Sequence, residues 1–319
     1  MHENRRLALV GGWMLLLLVL GLLWSLRSLF DPWWWMWIVA FTIFFGFKLL
    51  TLLHLDATSR QRLSPSRLAA YFFLWPGLRP GVFVGQTLLS GARQEYLAHS
   101  QQCLTHSLHS RSLWTNGCLQ LMFGAIAIWA VPRWLPINSP TWLRAWTGMV
   151  GFSLLVHFGL FDLLAALWRT MGIPVDKLFS NPWRSVSLTD FWSNRWNRSF
   201  SEFCRSLVFW PLARRWGTRW ASFAVFAFSG FVHEMMISAP ARGGYGGPMI
   251  YFVVNGLAVQ IETLSGWRKL AQRLPVLGRI WAMTVVLTPL PLLFHGPFQT
   301  QVVLPFLAAV GATAGPVNS

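Results

Sequence analysis

Apolar residues run through this chain in blocks of membrane length, separated by stretches rich in Arg, Ser and Trp. A helix needs roughly 20 mostly apolar residues to cross a hydrocarbon core. The windows 7–26, 33–53, 113–131, 147–168, 218–238, 247–264 and 277–294 meet that need. Seven spans are therefore the minimum expected, and the pattern allows about seven to nine. The tail 302–314 is apolar but short and holds Pro305, so it reads either as an eighth span or as a segment packed against the bundle. No internal repeat or low-complexity linker divides the chain, so one domain over 1–319 is expected. The fold class predicted is an all-α polytopic membrane protein.

Composition agrees with that setting: 54% hydrophobic, 11% charged, mean hydropathy +0.46. The formal charge of +16 would suit a nucleic-acid binder until the basic residues are placed. Most lie in the N-terminal tail, 54–112, 169–219 and 265–279, which fall on one side if the spans alternate. That asymmetry is the positive-inside pattern, so the charge reports topology, with the N-terminus and both long basic loops cytoplasmic. Nucleic acid is not an expected partner; membrane lipids are. The first run follows Asn4-Arg5-Arg6 like a signal's charged region, but its apolar stretch is too long and no small-x-small site follows. A retained first span is the expectation. Cys103, Cys118 and Cys204 show neither metal nor redox spacing, and tryptophan clusters such as Trp33-Trp34-Trp35-Met36-Trp37 belong to an aromatic belt. Lys48 reads as a cation at a cytoplasmic helix end. The aromatic-rich stretches inside 54–112 and 179–217 read as interfacial or re-entrant helices.

Candidate chemistry lies where ionisable groups enter the apolar windows. His233 and Glu234 end the run Ala221-Ser-Phe-Ala-Val-Phe-Ala-Phe-Ser-Gly-Phe-Val-His-Glu234. Charged groups at bilayer depth are costly, so such a pair is expected to face protein or a watery cavity. His157, Asp162, Asn255, Gln260 and Glu262 are the other polar groups within spans, and His157 is read as a packing residue. His99, His106 and His109 lack a Cys or carboxylate set at ligand spacing, so no metal site is expected.

The segment Asn181-Pro-Trp-Arg-Ser-Val-Ser-Leu-Thr-Asp-Phe-Trp-Ser-Asn-Arg-Trp-Asn-Arg-Ser-Phe200 carries the most specific pattern. Ser187 or Thr189 would cap a helix, with Asp190 in its first turn. Phe191, Asn194 and Asn197 or Arg198 would then share one face. Arginine forks and carboxamides on an interface helix suit an anionic headgroup; a surface helix anchored by Trp is the alternative.

The run Ser187-Leu-Thr-Asp-Phe-Trp-Ser-Asn-Arg-Trp-Asn197, followed by Ser229-Gly-Phe-Val-His-Glu234, resembles the membrane-bound O-acyltransferase superfamily, and within it the wax-synthase-like branch. Trp75-Pro76-Gly77 is similar to that branch as well, so the likeness covers about 60–300. It implies an irregular multi-helix bundle around an internal reaction chamber. It also implies transfer of a fatty acyl group from acyl-CoA to a hydroxyl, most simply that of a long-chain alcohol, giving a wax ester. Diacylglycerol, a sterol or another hydroxyl compound are the alternative acceptors. His233 matches the family's catalytic histidine and Asn197 its second signature position; Asn194 departs, since related branches often hold a charge there.

On that resemblance His233 is the general base and Asn197 a donor to the oxyanion. Acyl-CoA is a co-substrate, and no tightly bound cofactor is expected. Ser229, one turn before His233, is expected to orient the ring, and Gly230 to admit an acyl chain or a second helix. Arg195, Arg198 and Arg184 are candidates for the coenzyme's phosphates, each with a snorkelling cation as its alternative reading. Trp192, Asn194, Trp196 and Glu234 complete the expected substrate-binding set. The rival from another class is a transporter or permease, motivated by the scattered ionisable groups, although inverted repeats are absent.

Overall fold

The structure is a computed structural model, and it describes residues 2–84, 112–136, 138–264 and 266–312. His99, His106, His109 and Cys103 lie outside the described residues. The protein is an all-α polytopic membrane protein. Six helices among the described residues are long and apolar enough to cross a membrane.

The first pair is α1 (His2–Ser25) and α2 (Pro32–His54). They approach closely where a Cβ on Gly46 would stand 2.6 Å from Leu16. The second pair is α3 (Ser112–Trp134) and α4 (Thr141–Thr170). A Cβ on Gly124 would meet the backbone nitrogen of Leu155 at 2.6 Å, so the two backbones nearly touch, the usual device where lipid removes any hydrophobic incentive to pair.

Lys48 corrects the reading of a cation at a helix end. Its side chain is fully buried, with Nζ donating to the carbonyls of Tyr71 (2.5 Å), Trp75 (2.8 Å) and Gly77 (3.0 Å). Three donors meet three carbonyls, and so fasten the bend after the short helix Pro65–Ala69 to the middle of the bundle. Leu78 N–H then donates to Ser199 Oγ, tying this bend to the start of α5 (Arg198–Cys204).

The second basic segment becomes continuously helical from Arg198 onward. From Arg198 to Ala241 the chain is one 44-residue helical run. It comprises α5, a π-helical turn Arg205–Phe209, α6 (Trp210–His233), a second π turn Glu234–Ser238 and a last turn Ala239–Ala241, and it bends sharply at Gly217. Gly217 has φ 81° and ψ 165°, a conformation open to glycine at little cost, so the run folds into two arms.

α7 (Gly247–Leu264) packs against α6. Gly230 meets Met249, Gly256 meets Phe226, and Gln260 Nε2 donates to Arg219 O at 3.1 Å, so the two helices run antiparallel. The window 247–264 thus forms a helix but falls outside the six apolar candidates. Asn255, Gln260 and Glu262 lower its apolarity, and Asn255 and Glu262 are wholly buried within protein. α8 (Pro275–Leu287) follows. The tail resolves to the second of its two readings. A short turn Gly296–Phe298, a π turn Gln299–Val303 and α9 (Leu304–Ala309) bury Val302, Leu304 and Leu307 against α2 and α4. The run 296–309 is too short to cross a membrane.

Candidate active site

Ser187 starts the signature segment by accepting from Asp190 N–H at 3.0 Å, and Glu262 supplies a second cap from α7. Its carboxylate accepts from the backbone N–H of Leu188 (2.7 Å) and Thr189 (3.3 Å), and from Trp281 Nε1 (3.0 Å). A buried carboxylate at a helix N-terminus is stabilised by the free N–H groups and the helix dipole. Trp192 Nε1 donates to Asn255 Oδ1 at 3.2 Å, while Asn255 Nδ2 donates to Tyr251 O at 2.9 Å. Two polar residues of α7 therefore hold the segment in place.

A single amphipathic helix is not what forms. A π-helical turn covers Phe191–Arg195 and closes with Trp196 N–H on Phe191 O; Trp196 is then extended and Asn197 left-handed, φ 38° and ψ 59°. Asn is among the few non-glycine residues that visit this region readily. Its Oδ1 accepts from Phe200 N–H at 3.2 Å and caps α5. Phe191 and Asn194 consequently do not share a helical face with Asn197. Because Oδ1 is the acceptor, the other carboxamide atom, Nδ2, is a donor, and it makes no hydrogen bond to another described residue.

The segment, α5, α6 and α7 enclose a cavity of about 600 Å³. On α6 its wall runs from Thr218 to His233, with Arg219, Ser222 and Ser229 along the way; on α7 it runs from Phe252 to Leu264. At 1.5 Å per residue, Arg219 and His233 lie about 21 Å apart along α6. The cavity is thus a shaft with a histidine at one end and an arginine at the other.

His233 is half-buried, and its Nδ1 lies 2.7 Å from Ser229 O. A carbonyl only accepts, so Nδ1 carries the proton and Nε2 presents a lone pair. The Phe252 ring lies 4.4 Å from the imidazole centroid. Directly after His233 the helix widens into a π turn, Glu234–Ser238. Such turns recur at functional sites, where they redirect side chains.

Of the residues expected at the site, His233, Asn197, Trp192, Trp196 and Ser229 line this one cavity. Asn194, Arg195, Arg198 and Glu234 do not. Asn194 donates to Asp190 Oδ1 at 3.3 Å, and Arg195 Nε is 2.6 Å from Asp190 Oδ2. Arg198 faces Asp176 at 3.7 Å, beside Arg79. Arg184 is exposed at the end of the short turn Pro182–Arg184. Glu234 Oε1 accepts from Gly246 N–H (2.9 Å) and Met249 N–H (3.1 Å), which caps α7. Gly230 serves a second helix, since a Cβ there would meet Met249 Sδ at 2.9 Å.

Arg205 and Arg219 line the cavity and were not singled out from sequence. Arg219 carries a periodic signal, since 219, 222, 226, 229 and 233 recur at three- and four-residue steps; Arg205 lies outside that series. Among the described residues no group of three His, Cys, Asp or Glu side chains is gathered as a metal site.

Comparison with known proteins adds the family. Residues 175–254 match the membrane bound O-acyl transferase family, a stretch that contains Asn197 and His233. Over that stretch the chain is similar to the membrane-bound O-acyltransferases. It is 26% identical over 171 residues to probable long-chain-alcohol O-fatty-acyltransferase 6 of Arabidopsis thaliana, covering 51% of this chain and 49% of the relative. To the acyl-CoA–sterol O-acyltransferase 1 of the same plant it is 28% identical over 135 residues, covering 37% and 39%. To the diacylglycerol O-acyltransferase 1 of Bos taurus it is 29% identical over 136 residues, covering 39% and 28%. The matches span half or less of each relative's length.

Proposed function

We propose that this protein transfers an acyl group from acyl-CoA to a hydroxyl, with a long-chain alcohol as the first-choice acceptor. The observation that carries the reading is the placement of His233, its Nε2 without a hydrogen bond to any described residue, and Asn197 on the wall of one cavity. The hydroxyl gives its proton to Nε2 as its oxygen attacks the thioester carbon, a step that general-base catalysis speeds by roughly 10²–10⁴-fold. The resulting oxyanion accepts from Asn197 Nδ2. Collapse breaks the carbon–sulfur bond; the coenzyme A thiolate leaves and takes the proton back from the imidazolium. No acyl-enzyme is needed.

Arg205 and Arg219 supply positive charge on the cavity wall, Arg219 at the end away from His233, which suits the coenzyme's phosphates better than the tethered Arg195 and Arg198 do. The positive-inside pattern puts the N-terminus and the basic segments on the cytoplasmic side, where acyl-CoA would enter. Preference for a long-chain alcohol over a sterol or diacylglycerol rests on the wax-synthase-like segment and on the first relative named above.

The transport reading loses its motive. Asp162 pairs with Lys177 at 2.6 Å, while Glu262 and Glu234 cap helices, so these ionisable groups have structural duties. The test incubates purified protein and His233→Ala with labelled acyl-CoA donors from acetyl to palmitoyl, and with hexadecanol, diacylglycerol, cholesterol or a sugar as acceptor. Ester formed by the wild type and lost in a folded variant is expected. Full activity in that variant, or flux across sealed vesicles without any acyl donor, would sink the proposal.

A further inference from the structure

The shaft has a closed end. His233 is the last residue of α6 on its wall, and Phe252, level with it on the antiparallel α7, is the first of α7. No residue of Glu234–Ser238 and none of α7 before Phe252 lines the cavity. Phe252 is buried and held from three sides: its ring centroid lies 4.4 Å from His233, 5.7 Å from Trp192 and 5.1 Å from Tyr251.

These neighbours are themselves fixed. Trp192 is tied to Asn255, and Tyr251 donates to Val286 O at 3.2 Å. Gly230 and Gly256 let α6 and α7 approach, because a Cβ at either would meet Met249 or Phe226 at about 3 Å. The ring is therefore a fixed wall and not a swinging side chain.

An acyl donor that enters from the Arg219 end must bring its thioester carbon to Nε2. The carbons beyond the carbonyl then advance toward the closed end and meet the Phe252 ring. From this geometry we infer that Phe252 is a specificity-determining residue, which sets the longest acyl chain that the protein accepts. The inference rests on the acyl-transfer reading and adds donor length to it. A close-packed wall discriminates by whole methylenes, each worth roughly 10-fold or more in a fitted pocket.

The experiment measures kcat/KM for acyl-CoA donors from acetyl to stearoyl, with hexadecanol as fixed acceptor, for wild type, Phe252→Ala, Phe252→Leu and Phe252→Trp. Phe252→Ala and Phe252→Leu should move the optimum to longer chains, with the ratio of long to short donors rising at least about 10-fold for Ala. Phe252→Trp should move it to shorter ones. A purely structural role would lower all donors together and leave the optimum in place. If Phe252→Ala fails to fold, Leu and Trp still predict shifts in opposite directions. Transfer with an unmoved optimum in every folded variant overturns this inference alone. Absence of transfer by the wild type from every donor overturns the acyl-transfer reading and this inference with it.

Discussion

His157 and His233 lie in two of the long helices of this bundle, and the second of them faces open space. His157 in α4 and His233 in α6 each make an Nδ1 contact one turn back, to Ser153 Oγ at 3.2 Å and to Ser229 O at 2.7 Å. Both adjoin π-helical geometry. His157, however, is enclosed by Phe152, Phe161, Phe179 and Trp196, with the Phe179 ring centroid 4.9 Å away. His233 has an aromatic ring on one side and a 600 Å³ cavity on the other. An ionisable group inside the bundle is thus no proof of catalysis: what separates the two is whether a reactant can reach the free ring nitrogen.

The sharpest way to break that contrast is His233→Ala. It should cut acyl transfer by roughly 10²–10⁴-fold, with thermal unfolding in detergent close to wild type. The next largest effect belongs to Asn197, where cap and donor can be separated. Asn197→Asp keeps an acceptor for Phe200 N–H and tolerates the left-handed backbone, yet loses Nδ2. It should lower kcat about 10²-fold with stability little changed, as removal of one oxyanion donor does elsewhere. Stability lost with kcat intact would make Asn197 a cap and nothing more.

How much of this was legible in the chain depends on the range over which each residue acts. The apolar windows, the Ser187 cap and the His233 motif follow from local spacing and could be read. The sixth window, 247–264, formed a helix, but its polar residues were anchoring the signature segment across 63 to 74 positions, as Asn255 does for Trp192 and Glu262 for Leu188. Lys48 likewise found its carbonyl partners 23 to 29 residues away. Arg195 and Arg198 stand in the motif yet are tethered to Asp190 and Asp176, the first of them only five positions away. Arg205 and Arg219 stand outside it and reach the cavity. Partners as distant as those of Lys48 and Glu262 carry no periodic signal, so their burial and pairing became visible only once the helices were packed.

His157→Phe sharpens the comparison from the other side. The ring keeps its aromatic neighbours and loses one hydrogen bond to Ser153, which is worth about 1 kcal/mol. Activity should stay within about 3-fold of wild type, a change of under about 1 kcal/mol in the barrier. A loss comparable with that of His233→Ala would mean that a reactant reaches His157 and that the contrast is false.

The smallest effect is expected at Ser229, the residue expected from sequence to orient the catalytic ring. Its hydroxyl donates to Val225 O at 2.9 Å, within its own helix, and it is the backbone carbonyl that accepts from His233 Nδ1. Ser229→Ala leaves that carbonyl untouched, so the tautomer and the aim of Nε2 persist. The variant should retain kcat within about 2-fold, or roughly 0.4 kcal/mol in the barrier. A pH–rate profile measured beside it should keep the wild-type shape, since the Nδ1 proton remains held. If kcat falls 100-fold or the profile moves, the hydroxyl itself must act on the substrate, and the polar wall of the shaft would then be part of the chemistry.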